Sequence, residues 1–255
     1  MRFLLALGLT MLATLPAHAN EEVVLGLSQN RVAITANFDG SDLLIFGAVK
    51  RDTPIPVDDP IGVIIAIEGP SEPLTVRRKE KKYGIWINTD SLTISSAPAF
   101  YSVSTSAPFD QIVNATEDLR HHISVPQAIR SVGGSEHVGD PEAFTEAVIR
   151  IRRKSSLYQL NENAVDIAEQ TLFRTKVTLP SNLTEGTYKT RIFLTRRGEV
   201  VTNYETTIDV QKVGLERFLF NLSREKPLIY GLMSLAIAIA AGWGASAFFR
   251  IFQRN

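Results

Sequence analysis

The side chains best suited to metal or acid–base chemistry gather in one stretch of this chain. His121 and His122 are adjacent, His137 follows, and Glu136, Asp140 and Glu142 lie nearby. Imidazole and carboxylate groups together would suit zinc or copper. The spacing argues against such a site. Neighbouring residues of a strand point to opposite faces, and the chain holds no H-x-x-x-H or H-x-H pair. Exposed loop histidines are the expected reading, and no metal or other cofactor is assigned. A nucleophile is no better supported. Ser135 follows Gly133 and Gly134, but a nucleophile elbow needs glycine on both sides of x-Ser-x. No Gly-rich phosphate loop is present. The absence of cysteine removes disulfides, thiolate metal sites and thiol nucleophiles together. No catalytic residue is assigned, and the chain is expected not to be an enzyme.

The densest charge run is Arg77-Arg78-Lys79-Glu80-Lys81-Lys82, with Tyr83 and Trp86 close behind. Such a run is most often the solvated face of a hairpin. Its other use is to meet anionic lipid headgroups or an acidic partner. Arg77, Arg78, Lys79, Lys81, Lys82 and Trp86 are therefore the candidate anion or partner contacts. The whole chain of 255 residues balances 27 basic against 27 acidic side chains. Setting aside Arg2, Arg224, Lys226, Arg250, Arg254 and Glu225, residues 20–223 keep 22 basic and 26 acidic ones. An acidic body disfavours a nucleic-acid partner.

The two ends read as targeting and anchoring segments. Residues 1–19 have a short positive start, an apolar run from Phe3 to Leu15 and the small-x-small ending Ala17-His18-Ala19. This is the pattern of a cleaved signal peptide. Residues 227–249 carry no charge over 23 positions. At about 1.5 Å per residue a helix of that length crosses a bilayer core. The expected placement is a bacterial inner membrane, with the body in the periplasm and residues 250–255 in the cytoplasm. Within the span, Ser234, Ala238, Gly242 and Ser246 recur every four residues. Ala236, Ala240 and Gly244 lie on an adjacent face. Small residues at this spacing let a second helix approach closely.

Between the ends the chain reads as mainly β. Residues 20–108 show alternating runs, including Val32, Ile34, Ala36 and Phe38, then Val63, Ile65 and Ile67, punctuated by turn formers. This suggests a first antiparallel β-sandwich unit. Residues 109–158 read as a connector with a short helix near Pro126 to Ser131 and a longer one over about 141–155. Asp140 is placed to cap the longer helix, Pro141 suits its first position, and Phe144, Ala147, Val148 and Ile151 form an apolar stripe. Residues 159–212 read as a second, smaller β unit with a hairpin turn at Arg197-Gly198. Residues 213–226 suit an amphipathic helix on the membrane surface.

Particular segments carry a family likeness. They are Leu172 to Pro180 with Gly186-Thr187-Tyr188, the run from Tyr230 through Gly242-Trp243 to Phe249-Arg250, and the shorter pieces Phe46-Gly47-Ala48-Val49 and Leu157-Tyr158. On these, nearly the whole mature chain resembles the alphaproteobacterial transmembrane protein family (Alph_Pro_TM type). The resemblance implies an inner-membrane protein with a periplasmic body, from gene neighbourhoods that contain sulfite-exporter-like permeases. It brings no catalytic residues with it. The expected role is a non-enzymatic accessory or scaffolding subunit of a membrane transporter or envelope complex, docked on a permease or envelope protein. The alternative is a membrane-anchored periplasmic protein that binds an anion or sugar at Arg77 to Lys82 and Trp86.

Overall fold

The computed structural model describes residues 21–34, 38–51, 60–129, 140–212 and 215–252. Twelve strands and six helices are placed among them. The signal-peptide residues, and Ser135, Glu136 and His137, lie outside the described residues.

Two sheets form the body. The first contains β1 (Glu21–Leu27), β3 (Ser41–Arg51), β10 (Leu172–Leu179) and β9 (Val165–Ala168), side by side in that order and all antiparallel. The second runs β2 (Arg31–Ile34), β12 (Glu199–Lys212), β11 (Gly186–Arg196), β4 (Gly62–Glu68), β7 (Tyr101–Thr105) and β8 (Tyr158–Asn161). Most of its pairs are antiparallel, but β2 joins β12 and β8 joins β7 in parallel. A separate ribbon pairs β5 (Ser71–Lys82) with β6 (Ile85–Pro98).

The mainly β fold expected from the alternation is present, with an apolar helix after it. The division into two successive β units is corrected. Strand β10 lies against β3, β11 against β4, and β12 against β2, so the early and late β-rich stretches share both sheets. Each stretch alone leaves an apolar face open, and interleaving closes it.

β10 shows strict alternation, with Phe173, Thr175, Val177 and Leu179 buried and the residues between them exposed. β4 does not. Val63, Ile65 and Ile67 face the first sheet and join Leu43, Ile45, Phe173 and Ile192 in one core. Ile64 and Ala66, expected on a wet face, are buried in a second core with Val103 and Phe193. Helices cover that second face. They are α1 (Phe109–Ile112), α2 (Ala115–His121), α3 (Val125–Ala128) and α4 (Pro141–Lys154). Ile112, Ile123, Val125, Val148 and Ile149 supply the cover, with Ile94 and Ala97 from the base of the ribbon. The body therefore has three layers: sheet, sheet, and helices with the ribbon's base.

α4 begins where the sequence predicts. The Asp140 side chain accepts from the Ala143 N–H at 3.1 Å, and Pro141 opens the first turn. Its stripe is corrected: Phe144, Val148 and Ile149 are buried, while Ile151 is exposed. The last turn is held instead by Arg152, which donates to the Pro98 carbonyl and lies over the Tyr158 ring. The short helix expected near Pro126 to Ser131 is α3, one residue earlier at its start; residues 130–139 lie outside the described set.

Two tight turns have the same form. Arg197 and Gly198 (φ 50° and 80°) join β11 to β12, and Tyr83 and Gly84 (φ 51° and 83°) join β5 to β6. Both central residues have positive φ, the two-residue turn whose twist matches antiparallel strands. After β12 come α5 (Leu215–Glu225) and α6 (Pro227–Phe252).

Ile65 of β4 and Ile192 of β11 sit opposite each other in register and are fully buried. They come from the two stretches that read as separate units. Ile65→Ala and Ile192→Ala should each lower stability by about 2–5 kcal/mol. Both should move one shared unfolding transition of the full-length protein in micelles, followed by circular dichroism. Two independent transitions, each moved by one variant, would contradict the interleaved fold.

Candidate functional site

The histidine pair, expected as exposed loop residues, lies instead at a helix end and is partly buried. Asn114 caps the start of α2, its Oδ1 accepting from the Glu117 N–H at 2.9 Å. His121 closes the helix, and His122 follows in the left-handed region at φ 50°. The His121 ring lies against Phe193, with Nε2 3.3 Å from Glu117 Oε2. Glu117 is itself buried, also paired with Arg120, and its Oε2 accepts from the Val200 N–H.

Arg191 on β11 completes this corner. Its guanidinium donates to the His121 carbonyl at 2.7 Å and to the His122 carbonyl at 3.0 Å. These are the carbonyls that a helix C-terminus leaves without partners, and a cation there also suits the helix dipole. Arg191 further donates to the Tyr101 hydroxyl at 2.8 Å and stands 3.8 Å from Glu68. The Tyr101 hydroxyl donates in turn to the Ile123 carbonyl at 2.8 Å. The cluster fastens the helical layer to the sheet. Among the described residues, no group of three or more His, Asp or Glu side chains could hold a metal ion. Asp140 is engaged as a helix cap.

The charge run falls on the β5–β6 ribbon, and the pairing register sorts it by face. Opposite residues share a face, and residues two apart along a strand share it too. Leu74 faces Ile94 and Val76 faces Leu92. These four turn toward the helical layer, where Leu92 and Ile94 are buried. Arg78 shares that face. It lies over the Phe144 ring at 5.0 Å and 3.8 Å from Asp90. Lys82 follows on the same side and reaches Glu80 at 3.8 Å. The opposite face carries Arg77, Lys79 and Lys81, with Trp86 directly across from Lys81. Trp86 is 68% exposed, Ile85 65%, and Tyr83 at the turn stands wholly in solvent. Arg77, Lys79 and Lys81 have no ion-pair partner among the described residues. Of the six candidate contacts, the structure thus brings together Arg77, Lys79, Lys81 and Trp86. It assigns Arg78 and Lys82 to contacts within the ribbon and the body.

The α6 helix carries the other candidate set. Residues Pro227–Ser246 have a mean hydropathy of 1.8, and none of the stretch is buried in the body. Its main neighbour in the chain is α5, continuous with it through the Tyr230 N–H bond to the Lys226 carbonyl. Ser234, Ala238, Gly242 and Ser246 lie along one side of this helix. The family description "Putative transmembrane protein (Alph_Pro_TM)" matches residues 22–251. The chain belongs to this family. No curated protein matches it. Membership of a transmembrane family and a helix long and apolar enough to span fit a membrane-anchored protein.

Two concavities lay beyond sequence reading, because distant strands build them. An open groove of about 1000 Å³ runs beside β8, lined by Arg153, Tyr158, Gln159, Asn161, Lys176 and Thr178 among others. The Gln159 amide donates across it to the Thr178 carbonyl at 3.0 Å. A cleft of about 570 Å³ lies at the start of β4, beside Gly62, Ile112 and Thr195.

Burial holds the Tyr101 phenol far above its ordinary range, although Arg191 pulls the other way. Burial likewise pushes Tyr188 up to about 12. The folded chain keeps phenolic protons that the unfolded chain releases from about pH 10 upward. Their stabilisation is therefore complete below pH 10 and is lost as pH rises from there, at most about 1.4 kcal/mol per pH unit per tyrosine. Tyr101→Phe should lower stability at pH 7 by about 1–3 kcal/mol. It should also flatten the decline above pH 10 in urea unfolding of the full-length protein. An equally steep alkaline decline in the variant would reject burial of Tyr101 as its source.

Proposed function

We propose that this protein is a non-enzymatic accessory or scaffolding subunit of a membrane transporter or envelope complex. In this reading α6 crosses a bacterial inner membrane, the β body stands in the periplasm and residues 250–255 lie in the cytoplasm. The observation that carries the reading is a row of small residues, Ser234, Ala238, Gly242 and Ser246, on a helix whose Pro227–Ser246 stretch is nowhere buried in the body. Apart from the helix's own backbone, a Cβ built on Gly231, Gly242 or Gly244 would meet no atom of the described residues within 4 Å. A glycine inside a helix is destabilising by about 1 kcal/mol relative to alanine, though spans tolerate it better. Among the described residues nothing packs into the room the missing side chains leave. A second helix lying along Ala238 and Gly242 would, since small residues let backbones come close enough for dispersion to act.

Two further features support docking. The body keeps its polar corner around Arg191 for its own packing, and its most accessible cations and aromatics project on a ribbon. A small-ligand reading of Arg77 to Lys82 finds less support, because Tyr83 stands in solvent and a Cβ on Gly84 meets nothing within 4 Å. A projecting tip lacks the concavity that buries most of a small ligand.

The test is a crosslinked pull-down of the full-length protein from native membranes, tagged after Asn255, with mass-spectrometric identification. One dominant permease or envelope protein is the expected companion. Gly242→Leu should reduce its recovery by about tenfold, equivalent to roughly 1.4 kcal/mol of binding, without changing the unfolding of the body. Recovery of this chain alone, or of nothing, would sink the proposal.

A further inference from the structure

We propose that the tip of the β5–β6 ribbon is a second membrane contact, a wedge that rests on anionic lipid headgroups through Arg77, Lys79, Lys81 and Trp86. Three cations repeat on one face at every second residue, and the indole of Trp86 lies across from the last of them. Their partners on the other face are already engaged with Asp90, Glu80 and Phe144. The outward face is therefore the one left with uncompensated positive charge. It stands on a body whose residues 20–223 hold more acidic than basic side chains. This concentration of charge at the tip is opposite in sign to the body and complementary to an anionic surface.

The apolar side chains name the kind of surface. Tyr83, Ile85 and Trp86 crowd the turn, all exposed, with the lysines beside them. Aromatic rings with a polar edge and lysines with long apolar stems suit the boundary between headgroups and acyl chains. A folded acidic protein would be met by a flat or concave patch with an apolar centre. The tip instead is a narrow projection, the shape that enters a fluid interface.

The topology fixes where the ribbon leaves the body. β4 and β12 run in the same direction on either side of β11, as their registers show. β4 ends at Glu68, and Pro70 lies against Gly186, which pairs with Val210 near the end of β12. The ribbon therefore starts at the end of the sheet from which the chain leaves for α5 and α6. Its base is held by Arg152 and Tyr158 on the Pro98 carbonyl. Each cation at an anionic surface is worth about fivefold in partition, so three supply about a hundredfold.

The probe is Trp86 itself. The chain has two tryptophans, so Trp243→Phe leaves Trp86 as the sole emitter. The full-length variant is placed in nanodiscs of phosphatidylcholine alone, or of phosphatidylcholine and phosphatidylglycerol in equal parts. Anionic discs should shift Trp86 emission to the blue and allow quenching by brominated lipid. Raising salt to 1 M, where the screening length falls to about 3 Å, should reverse both, with no mutation needed. The triple exchange Arg77→Glu, Lys79→Glu, Lys81→Glu should abolish the shift, while Lys79→Arg with Lys81→Arg should keep it. Three outcomes would overturn the proposal. They are emission typical of water in both discs, an equal shift in neutral discs that ignores salt, and a shift that appears only after membrane proteins are added.

Discussion

The body is organised around β4, a strand that water reaches on neither face. β4 is buried from Val63 to Ile67, with its odd-numbered residues in one core and Ile64 and Ala66 in the other. A strand in that position must be covered twice. The first sheet covers one side, and the helices with the base of the ribbon cover the other. Each large apolar side chain taken from water contributes about 1.5–3 kcal/mol. The neighbours of β4 confirm the division: Ile192 and Leu194 of β11 face the first core, and Phe193 between them faces the second. The three-layer plan follows from that double burial.

The same requirement explains the placement of the polar corner. A helical layer lying on a sheet must end its helices somewhere, and α2 ends over the second core. Its last carbonyls would be left without partners in an apolar setting. Such groups cost about 1–3 kcal/mol each when unsatisfied. Arg191 and Tyr101 take them up, and both come from strands that flank β4. An arginine serves here because its fixed fork can reach two successive carbonyls and a hydroxyl at once. The pair of histidines that looked like metal ligands is thus the end of a capped helix. Their carbonyl oxygens are what this corner uses.

Local signals in the sequence were read well, and distant ones were not. The Asp140-Pro141 start of α4 and the Arg197-Gly198 turn were legible because a cap and a two-residue turn depend on adjacent residues. The alternation of β11 and β12 was legible for the same reason. The shared sheets were hidden. Thr175 meets Ile45 and Ile192 meets Ile65, pairings across more than a hundred residues that leave no local mark. The double burial of β4 left a mark that alternation obscured. Ile64 and Ala66 make Gly62 to Glu68 an almost continuous apolar run, the pattern of a strand covered on both sides. The charge run was visible as composition, but its division into two faces needed the partner strand. Only the register across Trp86 and Asp90 shows which cations are spent on the body.

What joins the ribbon and α6 is a common departure from the core. Each stands away from the two apolar clusters over much of its length, and each exposes large apolar side chains that a body in water would normally cover. Leu228, Leu232, Leu235, Ile237 and Ile239 of α6 are exposed, as are Phe220 of α5 and Ile85 and Trp86 of the ribbon. In α6 the exposure runs all round the helix, which only a lipid environment or a surrounding protein can satisfy. In the ribbon it is confined to a few residues set among cations, which a boundary between water and lipid satisfies. The pattern is graded from a full apolar column to a mixed tip. That gradation is what a chain requires if one part must sit inside a membrane and another must rest upon it.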